Sequence, residues 1–196
     1  IAKDANLEFS RGLGSNADIA VACFRKAIHF QRFPGDQDHM RPVDLSWLWP
    51  NLFFIHTQIP QDTRDFVSKF LDFACAQPEI VELFSQNSDS LVHVFLAGPR
   101  NFEQPKKALE EAYALLLNLG KMTGINIVSQ PHQQIAHIAQ KFGGAAKPSG
   151  AGGGDICIAL VEARYRKSFA TEIWKNGFNI LNLSPNENQL RGNMYQ

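Results

Sequence analysis

The sequence has little excess charge of either sign. Its 196 residues carry 19 Lys and Arg against 19 Asp and Glu, so the formal net charge is zero. Proteins that bulk charge holds to nucleic acid or to an anionic membrane need a surplus of Lys and Arg. We therefore expect no nucleic-acid partner and no membrane partner, and any recognition of anions must be local.

Cysteine is scarce as well. Cys23, Cys75 and Cys157 lie far apart, each in an apolar run. An odd and dispersed set does not predict a disulfide framework, so we interpret all three as reduced core thiols of a cytoplasmic protein. No segment approaches the ~18 consecutive apolar residues of a membrane span, and no signal-peptide pattern opens the sequence.

Motifs for metals and serine nucleophiles are also missing. The six histidines show no HxxxH spacing, and the sequence contains neither CxxC nor GxSxG. This predicts no structural zinc site and no serine-hydrolase triad. His132 and His137 flank the start of one helical segment, and we expect both at the surface.

What is present is enough apolar sequence for a core. Hydrophobic residues make up 44% of the chain and include 15 Phe, which fall at helical or alternate spacing. The length is typical of one domain, which we expect to span residues 1–196. Helical and extended patterns mix without a strict βαβ period. This predicts an α+β fold, an antiparallel sheet covered by helices on one side.

The individual elements follow from periodicity and from helix boundary signals. Strands are predicted over residues 24–33, 52–57, 156–161 and 178–183. Helices are predicted from an N-cap at Asp62 to a stop at Pro78, over 79–96, from a first turn at Pro105 to a C-cap at Gly120, over 131–142 and over 165–175.

The most informative stretch is glycine-rich, KPSGAGGGD at residues 147–155. Successive glycines take positive φ and can point several backbone N–H groups into one concavity that binds phosphate oxygens. The stretch lacks the GxxxxGK[ST] lysine, and a strand follows where a helix should open. It is therefore neither a P-loop nor a dinucleotide fingerprint. The alternative is a flexible turn between a helix and a strand.

Three polar residues bracket the glycines within this stretch. Lys147 can supply a positive charge and Ser149 a hydroxyl. Asp155 can accept a hydrogen bond from a substrate hydroxyl or a neighbouring N–H, or face a cation. In a plain loop, Asp155 would only cap a turn.

The stretch AAKPSGAGGGDICIAL resembles the third motif of the GHMP small-molecule kinases, a superfamily that includes galactokinase, homoserine kinase, mevalonate kinase and phosphomevalonate kinase. Asp155 follows the third consecutive glycine and is most similar to the phosphomevalonate kinase family, because mevalonate kinases usually carry another glycine there. The resemblance implies substrate contacts by Lys147 and Asp155. It implies phosphate or nucleotide binding by Ser149, Gly150, Ala151, Gly152, Gly153 and Gly154.

The segment RGLGSNADIA at residues 11–20 allows three interpretations. A dinucleotide turn is disfavoured, because the preceding DANLEFS is too polar for a buried strand. The segment also resembles the superfamily's ATP phosphate loop. It is most similar to the central phosphomevalonate kinase segment, since a strand follows at the family's spacing. That resemblance implies that Asp18 is the catalytic base and that Ser15 and Asn16 contact substrate. Without it, Asp18 would be a helix cap.

The segment from His56 to Arg64 is similar to a Thr-Gly-x-x-Ala-Ser-Thr-Arg segment of the family. Only Thr57, Thr63 and Arg64 match. The resemblance implies that Thr63 and Arg64 contact substrate phosphate at a helix N-terminus, and the alternative is a capped helix start with a solvated Arg64. Four family glycine positions hold other residues: Asn16, Gln58, Arg25 and Lys26.

Taken over nearly the whole chain, the resemblance corresponds to the C-terminal half of a superfamily kinase. It implies a ferredoxin-like antiparallel sheet backed by helices, and the reaction ATP + 5-phosphomevalonate → ADP + 5-diphosphomevalonate. The partners would be ATP, a phosphorylated small molecule and the kinase's N-terminal half, which we expect to hold most Mg²⁺ ligands; none is predicted here. The alternatives are another superfamily kinase, such as mevalonate kinase, or a non-catalytic ligand-binding or regulatory domain.

Overall fold

The computed structural model describes residues 17–31, 39–60, 63–98 and 100–183. Contacts divide the chain into two compact units, residues 1–47 and residues 48–196. The expectation of one kinase domain over residues 1–196 stays a prediction.

The described part of the first unit holds a short helix and a strand pair. Helix α1 (Ala17–Phe24) precedes strand β1 (Ile28–Gln31), which pairs antiparallel with β2 (His39–Pro42). The strand predicted from residue 24 is therefore wrong at its start. The sequence ADIAVACF contains several alanines, the best helix formers, and this favours a helix up to Phe24.

The second unit contains the main sheet and five longer helices. After a 3₁₀ helix over Ser46–Asn51, the elements are β3 (Leu52–His56), α2 (Thr63–Ala76), α3 (Pro78–Ala97), α4 (Glu103–Thr123), α5 (Gln130–Lys141), β4 (Ala145–Pro148), β5 (Ile156–Leu160), a 3₁₀ turn over Ala163–Tyr165, α6 (Arg166–Lys175) and β6 (Asn179–Ile180). The strand order is β4-β5-β3-β6, and every neighbouring pair is antiparallel. The predicted α+β class is confirmed.

The core lies between one face of this sheet and helices α5 and α6. Phe53 and Ile55 alternate along β3 onto that face, and both are buried against side chains of α5 such as Ile135. From α6, Phe169 meets Phe53 edge to face, with ring centroids 4.8 Å apart. The sheet is thus backed by helices, as expected.

Two helix boundaries differ from the prediction. Helix α2 ends at Ala76, and only Gln77 separates it from α3. Pro78, which was expected only to stop α2, opens α3, since proline suits the first turn of a helix. Helix α4 continues past Gly120 and is capped by Gly124, which has φ 69°. The prediction of a cap at Gly120 was wrong. A Cβ at Gly120 would lie 2.8 Å from the carbonyl oxygen of Ile125, so the glycine allows the segment after α4 to pass close to the helix.

The cysteine prediction was wrong for two of the three residues. Cys157 is buried, whereas Cys23 and Cys75 are exposed. Their apolar runs form helices, and a helix turns part of such a run toward solvent. Burial raises the pKa of the Cys157 thiol to about 12, so this thiol stays protonated at neutral pH. Within the described ranges, no helix is both long and apolar enough to cross a bilayer.

Candidate functional site: the glycine turn

The glycine-rich stretch forms a turn between two strands of the sheet. Strand β4 ends at Pro148, which pairs with Cys157 in β5. The Ser149 N–H donates to the Ile156 carbonyl over 2.9 Å and closes the turn, residues 149–154, which we call the glycine turn. The expectation that a helix leads directly into this turn was wrong, because strand β4 precedes it. Strand β4 was missed because AAKP is short and ends in proline, which is disfavoured in strands.

One half of the glycine turn is packed against the segment between α4 and α5. The Gly153 N–H donates to the Ile127 carbonyl over 2.7 Å. Gly152 has φ 81°, and a Cβ on it would lie 2.3 Å from the same carbonyl oxygen. Residues 152–154, the packed half, are all buried.

The other half, residues 149–151, is open. Gly150 has φ 67°, and a Cβ on it would meet nothing within 4 Å. Gly150 and Ala151 are exposed, and their N–H groups donate to no residue in the described part of the chain. Neighbouring N–H groups beside a left-handed residue form a concavity that suits an anion.

A second predicted motif lies against the end of the glycine turn. The Asp155 carbonyl accepts a hydrogen bond from the Thr57 N–H, and the Asp155 N–H donates to the Ile59 carbonyl, both over 2.7 Å. Thr57 is buried, whereas Asp155 is exposed with its carboxylate. The fold therefore brings Thr57 and Asp155 together across a long stretch of sequence.

Positive φ at non-glycine residues falls at three positions among the described residues: Arg25 at 51°, Gln58 at 64° and Asp155 at 54°. Few residues besides glycine adopt this conformation. The resemblance assigned glycine to positions 25 and 58 in the kinase family, and to position 155 in mevalonate kinases. At these three positions the chain adopts, with other side chains, a conformation that glycine favours. Gln58 is also anchored, since its Nε2 donates to the Gly177 carbonyl over 2.6 Å.

Lys147 lies beside the open half of the turn. It is half-buried, and its Nζ donates to the Pro148 carbonyl over 2.6 Å. Burial lowers the pKa of Lys147, and the effect of Cys157 opposes this shift. Lys147 and Gly150 are among the residues that line a cavity of about 330 Å³ between α3 and α4, and most of the other lining residues are apolar, such as Phe84 and Leu116.

The structure describes less of the remaining predicted residues. Asp18 is exposed in the first turn of α1, which begins at Ala17, so the interpretation of Asp18 as a cap was wrong. Ser15 and Asn16 lie outside the described residues. Thr63 and Arg64 begin α2, as the prediction of a helix N-terminus required, but their side chains are outside the described part.

Sequence reasoning missed His132. We expected it at the surface, but it is completely buried, while His137 on the same helix is exposed as expected. The Ser129 Oγ lies 2.9 Å from His132 Nδ1 at the start of α5. The sequence signal for the position of His132 was the three-residue spacing from Ser129. This is the spacing of a capping box, with histidine in place of the usual Glu or Gln.

Comparison with known proteins gives this geometry a context. No protein-family model matches the sequence. A phosphomevalonate kinase of Streptomyces sp. (strain CL190) is 34% identical over 89 residues, which are 45% of this chain and 20% of that protein. The structure of Streptococcus pneumoniae phosphomevalonate kinase in complex with phosphomevalonate and AMPPNP matches 86% of this chain and 54% of its own, with a TM-score of 0.71 and 20% identity. The chain has the fold of the GHMP kinases.

A mevalonate kinase of L. major, solved with R-mevalonate, shares this fold more distantly. It matches 76% of this chain and 44% of its own, with a TM-score of 0.61 and 16% identity. The resemblance to phosphomevalonate kinase that the glycine turn indicated is confirmed by the Streptomyces relative. The chain spans about half the length of these solved kinases.

Proposed function

We propose that this chain is the C-terminal half of a phosphomevalonate kinase. The γ-phosphoryl group of ATP would pass to the phosphate of 5-phosphomevalonate: the bond from γ-phosphorus to the bridging oxygen breaks, a bond to an acceptor oxygen forms, and ADP leaves. The observation that carries the proposal is the open half of the glycine turn. There two exposed N–H groups lie beside a lysine, in the motif most similar to this family.

Phosphoryl transfer requires mainly positioning and neutralisation of charge on the phosphate oxygens. The N–H groups of Gly150 and Ala151 can donate to those oxygens, and Lys147 adds a positive charge beside them. Ser149 can contribute its hydroxyl. Because these groups belong to a hairpin that the core holds in place, they need little reorganisation when phosphate binds.

The acceptor oxygen requires orientation and a group that takes any proton it carries. We assign this role to Asp18, which is an exposed residue. We assign acceptor contacts to Asp155, Thr63, Arg64, Ser15 and Asn16. The exposure of Asp155 and the position of Thr63 and Arg64 at a helix start support these assignments.

ATP is a substrate of the proposed reaction, and Mg²⁺ would screen its phosphates. In the ranges that the structure describes, no group of three or more His, Cys, Asp or Glu could hold a metal ion. We propose that the N-terminal half of the kinase holds the ion, and that the protein works in the cytoplasm.

The departures from the family pattern do not favour a non-catalytic domain. Arg25 and Gln58 replace family glycines, yet both keep the left-handed backbone that glycine provides. At these two positions the backbone conformation is therefore compatible with the family glycine. Asp155 distinguishes the chain from mevalonate kinases, which usually carry glycine at that position.

The test is an ADP-release assay on the full-length protein that contains this chain, with ATP and either phosphomevalonate or mevalonate. We expect turnover with phosphomevalonate, and loss of roughly 10²- to 10⁴-fold in kcat for Asp18→Asn, the usual contribution of a general base. Asp72→Asn, which changes an exposed carboxylate on α2, is the control and should leave kcat unchanged.

Two results would contradict this proposal. A loss smaller than about tenfold in Asp18→Asn would show that Asp18 is not the base. Turnover with mevalonate in place of phosphomevalonate would reassign the chain to another kinase of the superfamily.

A further inference from the structure

A buried histidine lies directly beneath the glycine turn, and the proposed reaction does not use it. His132 is in the first turn of α5, the helix that packs against β4 and β5, and its side chain has no exposed surface. Histidine is rarely this deeply buried without a polar role.

The hydrogen bonds of Ser129 determine which ring nitrogen carries the proton. The Ser129 N–H donates to His132 Nδ1 over 3.3 Å, and the Ser129 Oγ lies 2.9 Å from the same nitrogen. A backbone N–H can only donate, so Nδ1 is an acceptor. A neutral imidazole then carries its proton on Nε2.

The Nε2 side of the ring faces the end of the glycine turn. The pKa of His132 is lowered, mainly by burial, and the positive charge of Lys147 lowers it further. The backbone of Ile156 and Gly154 beside the ring and the negative charge of Asp155 oppose this shift. Nε2 itself is buried, and among the described residues no acceptor meets hydrogen-bond geometry with it. A buried donor of this kind is costly unless it is satisfied, and the nearby Gly154 and Ile156 carbonyls are the available acceptors.

We propose that His132 is a positioning residue, whose Nε2–H supports the backbone carbonyls at the end of the glycine turn and thereby keeps the open half turned toward phosphate. The proposed support of the turn involves residues of this chain alone. Only its effect on phosphate binding rests on the proposed function.

Two substitutions at position 132 distinguish a role of Nε2 from a role of Nδ1. His132→Gln can place an N–H near the Nε2 position, whereas His132→Asn keeps a polar atom only near Nδ1. Both variants lose the ring, so loss of packing affects them similarly. His137→Asn, at an exposed position on the same helix, is the matched control.

The measurement is amide hydrogen exchange at Gly153 and Asp155, relative to a core amide such as that of Ile138. These two amides donate to the carbonyls of Ile127 and Ile59 and therefore report how firmly the turn is held. We expect exchange about tenfold faster in His132→Asn, roughly the effect of one buried hydrogen bond, but within about threefold of the original protein in His132→Gln and His137→Asn. Equal exchange in the Asn and Gln variants would overturn the proposal.

A spectroscopic test addresses the tautomer directly. Nitrogen-15 spectra of the imidazole should show a protonated Nε2 and an unprotonated Nδ1 at neutral pH. A proton on Nδ1, or a charged ring, would overturn the proposal, because Nε2 would then not be the specific donor to the turn.

A titration with inorganic diphosphate, followed at the Gly150 and Ala151 amides, tests the link to phosphate. We expect affinity about tenfold lower in His132→Asn than in His132→Gln. Unshifted amides in the original protein would contradict the proposed phosphate site, whereas the exchange and tautomer results would still decide the role of His132.

Discussion

Both halves of the glycine turn contain glycine at positive φ, but the two halves meet different surroundings. Gly152 has φ 81° and lies against the Ile127 carbonyl, while Gly150 has φ 67° and faces open space. In the packed half, glycine is required at position 152 because a side chain there would overlap the Ile127 carbonyl. In the open half, it is required mainly because of the backbone conformation.

The two halves of the glycine turn therefore contribute differently to the site. The packed half attaches the turn to the protein core, through the hydrogen bond from Gly153 to Ile127. The open half leaves N–H groups free for a ligand. A phosphate-binding turn needs both, because donors that are not held in place would have to be ordered when the anion binds.

The largest expected effect is in the packed half. Gly152→Ala places a Cβ 2.3 Å from the Ile127 carbonyl oxygen, at a positive φ. Overpacking typically costs about 1–3 kcal/mol and a left-handed alanine about 1–2 kcal/mol, so we expect the free energy of unfolding to fall by roughly 2–5 kcal/mol. Denaturant unfolding of the chain measures this. A loss below about 1 kcal/mol would mean that Ile127 moves away easily.

The open half should respond more weakly. Gly150→Ala meets no neighbouring atom, so only the backbone conformation is strained, and we expect a loss of about 1–2 kcal/mol. Gly150→Asn should lose less, because asparagine tolerates this conformation better. The same unfolding measurement compares the two. If Gly150→Ala matched Gly152→Ala, the distinction between the halves would be wrong.

The smallest effect is expected at Asp155, which follows the turn and has φ 54°. Asp155→Gly removes the strain and should raise the free energy of unfolding by roughly 0.5–1 kcal/mol, whereas Asp155→Ala should lower it, since alanine tolerates this φ less well than aspartate. Thermal unfolding resolves such differences. An alanine variant as stable as the glycine variant would show that the backbone relaxes at this position.

Local patterns were enough to predict several elements of the fold. The apolar strand LFFIH and the stripe of α5 match the structure, because each needs only one apolar face at the right period. Strand β4 could not be predicted in this way. Its four residues have no strand pattern, and they are extended because β5 pairs with them.

Burial was predicted less well than secondary structure. Helix α3 is strongly apolar, yet no residue in it is fully buried, whereas α5 is more polar and buries five residues. The same limitation explains why the burial of Cys75 and His132 was predicted wrongly. A side chain is buried when other elements cover it, and those elements come from distant parts of the chain.

The sequence by itself determined which residues the glycine turn contains and which family it resembles. Its glycines, the lysine before them and the aspartate after them indicated a phosphate-binding motif and its resemblance to a kinase superfamily, because glycine content and polar spacing are local properties. The tertiary structure alone decided which glycines are packed, that Thr57 lies against Asp155, and that a buried histidine lies beneath the turn. These features depend on contacts between residues far apart in sequence, which form only when the sheet and its helices pack together.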